Sequence, residues 1–316
     1  MKRFLGILIC AIALSSCDDG DLIVDKIDFS AVQTQSCTTN NLLYKLNENE
    51  SLILNVPSTT FAQNPTDPGT PITLDVNATN QVVYSFYNGK VVSGNICDII
   101  PPATPNVNSQ WKASSGKIEI VTTDIKKLDE TNNSTRITGY NNSIVFRNIT
   151  FDKGDGTSQF YETFPFGDYT KTADPLPFAF SGLLNRCSNN GQVYDFSASE
   201  SFTLNIDPAL IINEATPAGA PRTGVIGATV NKLVYSLFTN GIVSSNYFCQ
   251  ATVPTIPTVS QEWLGRVGGI IEVTTATNGP NSFIHTIVLK NVTLVKGNSN
   301  FQLGNSYKYG ELQTTK

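Results

Sequence analysis

Glu50-Ser51-Leu52-Ile53-Leu54-Asn55-Val56 and Glu200-Ser201-Phe202-Thr203-Leu204-Asn205-Ile206 are two versions of one segment. Both alternate apolar and other residues, the period of a strand buried on one side. The match extends in both directions. Upstream, Cys37 and Tyr44 find Cys187 and Tyr194. Downstream, Val83-Tyr84-Ser85-Phe86-Tyr87 finds Val234-Tyr235-Ser236-Leu237-Phe238, Asn88-Gly89 finds Asn240-Gly241, and Cys97 finds Cys249. Pro102, Pro105 and Trp111 then match Pro254, Pro257 and Trp263, Gly116 matches Gly268, and Val121-Thr122-Thr123 matches Val273-Thr274-Thr275. Ile144-Val145-Phe146-Arg147-Asn148-Ile149-Thr150-Phe151 closes the series against Ile287-Val288-Leu289-Lys290-Asn291-Val292-Thr293-Leu294. The order never changes and the gaps fall in polar segments, so the chain is a tandem duplication.

Within each copy the signal is strand. Segments 51–56, 72–76, 82–87, 90–93, 117–123 and 143–152 are rich in β-branched and aromatic residues and are separated by Asn, Gly, Pro and Asp. Asn88-Gly89 and Asn240-Gly241 predict two tight hairpins, since a type I′ turn needs positive φ at both central residues. Helical periodicity is nearly absent. Asp207-Pro208 predicts one short helical turn, with Asp as cap and Pro in the first turn, and 260–264 predicts another. The fold expected is all-β: two tandem antiparallel β-sandwich or barrel domains of seven to nine strands, each with one disulfide. Residues 26–169 form the first domain, 170–177 a proline-containing linker and 178–316 the second.

The 316 residues are 40% hydrophobic and 15% charged, with 21 Lys+Arg against 26 Asp+Glu. That balance argues against a nucleic-acid partner, which needs a basic stripe to displace counterions. A single His excludes His-rich metal sites. At the N-terminus, Lys2 and Arg3 precede an apolar run from Phe4 to Leu14 that is too short to span a bilayer, which needs about 20 apolar residues. The pattern is that of a secretory signal, residues 1–16. Leu14-Ser15-Ser16-Cys17 resembles the bacterial lipobox, and the resemblance implies that Cys17 is lipidated and becomes the mature N-terminus. Asp18-Asp19-Gly20-Asp21 resembles the export signal of surface lipoproteins of Bacteroidetes; in enterobacterial lipoproteins Asp after the lipidated Cys instead resembles an inner-membrane retention signal. Residues 17–25 are then an acidic tether, and the resemblance implies a cell-envelope protein held at the outer membrane by its lipid.

Cys10 leaves with the signal and Cys17 takes the lipid, so four cysteines remain for pairing. Duplication selects Cys37–Cys97 and Cys187–Cys249 among the three connectivities, because an ancestral single copy could form that bond alone. Each closure stabilises by roughly 4 kcal/mol in the chain-entropy model. No Cys-x-x-Cys and no nearby His suggests a metal, so no metal or cofactor is expected.

Catalytic residues are not evident. His285 falls on the face of Phe283, Ile287 and Leu289, where a hydrogen-bonded strand residue is expected; its counterpart is Asn142. Glu50 and Glu200 recur, yet Glu119 aligns with Ile271 and Glu272 with Ile120, so no second carboxylate completes a glycosidase pair. Glu50, Glu200, Asp168 and Glu311 read as solvent-facing charges. Asp152-Lys153-Gly154-Asp155-Gly156 lacks the ligands of a calcium loop and reads as a hairpin loop. Trp111 and Trp263 are the candidate ligand-binding residues, as platforms for sugar rings, against the alternative that a Trp at a repeated place packs the core. The expected function is non-catalytic: a lipid-anchored envelope protein whose paired domains bind a glycan or protein ligand. A structural or assembly component of an envelope complex is the alternative, and a polysaccharide hydrolase a more distant one.

Overall fold

The computed structural model describes residues 26–316. The readings of the signal segment, of Cys17 and of the acidic tether through residue 25 lie outside the described residues. The regular structure is nearly all strand and folds as two β-sandwich lobes, each curled around its own core.

The first lobe holds β1 (Gln35–Ser36), β2 (Leu43–Asn47), β3 (Glu50–Asn55), β4 (Ile72–Asp75), β5 (Gln81–Tyr87), β6 (Val107–Asp129), β7 (Ser134–Asp152) and β8 (Ser158–Thr172). They are ordered β1-β2-β3-β5-β6-β7-β8, with β4 added on β6. Strand β6 serves both layers: Lys112 pairs with Val83 of β5, and Ile120 pairs with Ile72 of β4. Bulges between Ala113 and Lys117 make the bend. Gly116 sits there at φ 129°, and a Cβ on it would lie 2.7 Å from the Ile149 Cα, so only glycine lets the two strands cross this closely. Leu52, Leu54, Ile118, Ile120, Ile144 and Phe146 fill the core with no exposed area.

The second lobe repeats the plan with β9 (Leu183–Arg186), β10 (Val193–Phe196), β11 (Glu200–Asn205), β12 (Arg222–Val225), β13 (Lys232–Thr239), β14 (Thr258–Gly265), β15 (Ile270–Thr277), β16 (Ser282–Lys290), β17 (Thr293–Lys296), β18 (Ser299–Gln302) and β19 (Tyr307–Thr315). Here the long strands are broken, β6 becoming β14 and β15. Registers coincide pair by pair. Gln35 faces Tyr44 as Asn185 faces Tyr194, and Tyr84 faces Trp111 as Tyr235 faces Trp263. The ladder shift between Ile144 and Val145 recurs between Ile287 and Val288. One difference is closure. Leu183 and Leu184 of β9 pair in parallel with Glu311 and Leu312 of β19, whereas β1 and β8 end the first lobe's strand order.

Both disulfides, Cys37–Cys97 and Cys187–Cys249, are formed. They anchor the connection where tight hairpins were expected. Tyr87 leads not into a two-residue turn but into residues 88–106, which carry a helical turn, Gly94–Cys97, before β6 begins. Segment 90–93 is therefore no strand. Val91 is buried beside Cys37, Tyr44 and Tyr87, and its N–H bonds to the Glu48 carbonyl. The chain has to return Cys97 to Cys37, and Pro101, Pro102 and Pro105 supply no N–H for a ladder. Residues 260–264 lie within β14, not in a helical turn; the turn at Pro208–Leu210 forms, with Asp207 Oδ1 accepting the Ala209 N–H.

The register also corrects the alignment. Thr122 faces Asn142, and Thr275 faces His285; Val76 N–H reaches the Gly116 carbonyl, and Ile226 N–H that of Gly269. So Gly116 corresponds to Gly269, and one extra residue lies between Trp263 and Gly269. A slip of one residue exchanges the two faces of a strand. With it removed, Glu119 corresponds to Glu272, and each joins an equivalent cation: Arg147 Nε lies 2.9 Å from Glu119, and Lys290 Nζ 3.9 Å from Glu272.

No ladder joins the lobes among the described residues. They are joined by an arm. Residues 123–141, the end of the β6–β7 hairpin, have only 276–284 as their counterpart, and they reach across to the second lobe. Tyr140 Oη lies 3.2 Å from Ser299 Oγ, Thr135 Oγ1 accepts the Gln302 N–H at 2.8 Å, and the Asn132 carbonyl accepts the Asn305 N–H at 2.7 Å. Ile137 packs on the second core. The expected linker is shorter than 170–177, since β8 continues to Thr172.

His285 is fully buried, with Nδ1 2.8 Å from Thr275 Oγ1 and Nε2 2.9 Å from Thr314 Oγ1. Asn142 repeats the first contact, accepting from Thr122 Oγ1. Burial lowers the imidazole pKa below 6.5. In that range the unfolded chain binds more protons than the folded one, so stability is complete above about pH 6.5 and declines on acidification below it. Denaturant unfolding at pH 7.5 and 5.5 should show this loss, and His285→Asn should reduce it; an unchanged pH dependence in the variant would refute the assignment.

Candidate functional site

The indoles mark the place where recurring polar residues converge. Neither Trp is an exposed platform: Trp111 is 6% and Trp263 1% exposed. Each indole N–H is held by the side chain two residues earlier, Ser109 Oγ or Gln261 Oε1, at 3.2 Å. Against each ring lies an amine, Lys153 Nζ at 4.3 Å and Lys296 Nζ at 5.0 Å from the centroid. These lysines recur two residues beyond the ends of the matched segments, Phe151 and Leu294, and that recurrence is legible in the sequence. Asp152 and Asp155 spend their carboxylates on the turn that carries Lys153, accepting the N–H groups of Gly154 and Thr157.

Glu50 and Glu200 are not solvent-facing. Glu200 is fully buried and Glu50 partly so. Strands β3 and β5, and β11 and β13, bring each acid to a tyrosine: Tyr84 Oη donates to Glu50 Oε1 at 2.5 Å, and Tyr235 Oη to Glu200 Oε2 at 2.7 Å. Burial, reinforced by the carboxylate, pushes the Tyr235 phenol far above its ordinary range, so it serves as a donor. Asp168 is exposed, and Glu311 meets Lys308 at 2.7 Å.

The two sites share this Glu–Tyr–Trp–Lys set and differ in what covers it. In the second lobe the chain covers its own site. The Phe178 ring stacks on Tyr235 at 4.3 Å. The N–H groups of Phe178 and Ala179 reach Glu200 Oε2 and Oε1 at 3.0 and 2.6 Å. Arg136, from the first lobe's arm, lies 4.9 Å from the Phe178 ring and 5.4 Å from the Phe301 ring. In the first lobe Glu50, Tyr84 and Trp111, without Lys153, instead line a cavity of about 310 Å³, shared with Lys26, Ile27, Phe86 and Ser109. There Glu50 accepts from Tyr84 and, at 3.4 Å, from Asn47 Nδ2, while the Ile27 N–H goes to Tyr161 Oη.

Chemically the cavity offers an acceptor, aromatic walls and an amine at its rim. Glu119, now matched to Glu272, is tied to Arg147 on β7 and does not line it. Among the described residues no group of three or more His, Cys, Asp or Glu side chains could hold a metal ion. The fold and sites define a two-lobed β-sandwich protein with one aromatic–carboxylate site in each lobe. Comparison with protein-family models, curated proteins and solved structures finds no significant match in any of the three.

Proposed function

We propose that this chain is a lipid-anchored, non-catalytic binding protein of the cell envelope. The membrane is engaged through Cys17, and a glycan or protein ligand through the first lobe. One observation carries the reading: of two equivalent sites, one is filled by the chain's own Phe178 and Arg136, and the other is a cavity. A site whose duplicate is occupied in cis by an aromatic side chain and hydrogen-bond donors is built to receive such groups. Each carboxylate is held by a neighbouring tyrosine, which suits recognition rather than proton transfer. Envelope residence rests on the lipobox resemblance.

Two measurements test this reading. Cells given a radiolabelled fatty acid should label the wild-type chain and not Cys17→Ser. The full-length chain in mild detergent should bind at least one member of a panel of envelope glycans and proteins, and Phe86→Ala should weaken that binding. No binding across the panel removes the binding role, and an unlabelled wild-type chain removes the anchor.

A second reading, assembly into an envelope complex, is favoured by apolar residues on both disulfide-bearing connections. Ile99 and Ile100 are 92% and 87% exposed, and Ile242 and Ile256 75% and 67%. Such side chains in clusters mark contact surfaces. A stoichiometric partner recovered from detergent extracts, and lost in an Ile99→Asp, Ile100→Asp chain, would favour it.

A further inference from the structure

We propose that the outer face of the second lobe carries a site for a neutral saccharide, built on the row Ser201, Ser236 and Glu262 and walled by the connection around Cys249. The site is separate from the first-lobe cavity and does not depend on it.

The strands set the row. Phe202, Tyr235 and Trp263 belong to the second core, so their chain neighbours Ser201, Ser236 and Glu262 take the opposite face of the sheet. Ser201 faces Ser236 across β11 and β13, and Ser236 faces Glu262 across β13 and β14. Neighbouring strands lie about 4.8 Å apart, so the three side chains span about 10 Å.

The first lobe has the same row and closes it internally. Ser51, Ser85 and Gln110 stand in the matching registers. Ser51 Oγ lies 3.3 Å from Tyr87 Oη, and Gln110 Nε2 donates to Ser85 Oγ at 3.3 Å. In the second lobe Phe238 stands at the place of Tyr87 and Glu262 at that of Gln110, which removes a hydroxyl and a donor. Ser201 and Ser236 are only 2% and 7% exposed. Among the described residues neither serine hydroxyl nor the Glu262 carboxylate has a hydrogen-bond partner. Buried hydroxyls are ordinarily satisfied, so this row takes its partners from the cavity it lines.

That cavity measures about 400 Å³, within the range of small-ligand sites, roughly 300–1,000 Å³. Tyr247 and Val253 of the connection supply an apolar wall, and Lys232 of β13 lines it as well. Lys232 has no ion-pair partner among the described residues, and its charge offsets that of Glu262, which favours a neutral ligand. A serine hydroxyl donates and accepts, whereas a carboxylate only accepts. The neighbouring hydroxyls of a sugar ring fill both roles, and its CH face suits the aromatic wall. Burial, reinforced by Glu262, raises the Tyr247 phenol above its ordinary range, so it remains a hydroxyl beside the row.

The test titrates the full-length chain in mild detergent with cellotetraose, laminaritetraose, xylotetraose, mannotetraose and maltotetraose. Calorimetry is expected to show saturable binding of at least one. A chain carrying both Phe238→Tyr and Glu262→Gln, which restores the first lobe's internal pairing, should bind that sugar about tenfold more weakly or worse and melt no lower than wild type. Glu262→Gln alone, at an exposed position, should already weaken binding. No binding of any tetrasaccharide overturns the proposal, as does equal binding by wild type and the double variant. Binding lost in Phe86→Ala and kept in the double variant overturns it in favour of the first-lobe site. Binding lost in the double variant and kept in Phe86→Ala supports it, whatever becomes of the first-lobe reading.

Discussion

Replacing Glu200 by Ala is expected to cost about 3–5 kcal/mol, because several buried neutral donors lose their acceptor at about 1–3 kcal/mol apiece. The same change at Glu50 should cost only about 1 kcal/mol, the worth of an ordinary hydrogen bond. The two glutamates occupy equivalent strand positions, so local propensity cannot separate them. What separates them is the donors left behind. Without Glu200, the N–H groups of Phe178 and Ala179, the Tyr235 hydroxyl and Ser197 Oγ lose their acceptor in a buried site. Without Glu50, Tyr84 and a long contact from Asn47 are affected beside a cavity that admits water. Denaturant unfolding of the two single variants measures the difference. Equal losses would show that the second-lobe cover contributes nothing.

Exchanging the arm, residues 123–141, for the short turn of the second lobe, 276–284, is expected to lower second-lobe stability by about 4 kcal/mol. That is the scale for losing the burial of two large side chains at up to roughly 1.5–3 kcal/mol each. Tyr140, 2% exposed, and Ile137, partly buried against the second core, are the side chains removed. Arg136 leaves with them, and Phe178 loses its cover. Because no strand ladder joins the lobes, calorimetry should then resolve two transitions where the native chain shows stronger coupling. A variant that melts as the native chain does, in shape and temperature, would mean that the arm does not couple the lobes.

Much of this was legible in the residues. Cys37, Cys97, Cys187 and Cys249 recur in step, and that alone paired them. The alternation in Ser51–Val56 and Ser201–Ile206 placed both strands on their cores. Misreadings came where local chemistry had a competitor. Asn88-Gly89 has the composition of a tight turn, but the disulfide and the prolines behind it draw the chain into a long connection. Glu119 and Glu272 align with Ile271 and Ile120 in sequence because one residue is added between Trp263 and Gly269, and in a strand one residue decides which face a side chain takes. Glu50 and Glu200 were read as surface charges because a carboxylate at a strand start is ordinarily exposed. The tyrosines that hold them come from a neighbouring strand.

The residues alone determined that there are two lobes, that each is β, and which cysteines close each one, because these follow from patterns repeated along the chain and need no knowledge of what meets what. Only the tertiary structure decided that the two sites differ. Phe178 lies on the connection between β8 and β9, where the first lobe's corresponding segment presents Ile27 with its N–H turned to Tyr161, and Arg136 lies near the tip of a hairpin that the second lobe has in shortened form. Their effect on Glu200 and Tyr235 comes from packing across long sequence separations, where proximity is set by the fold and not by spacing.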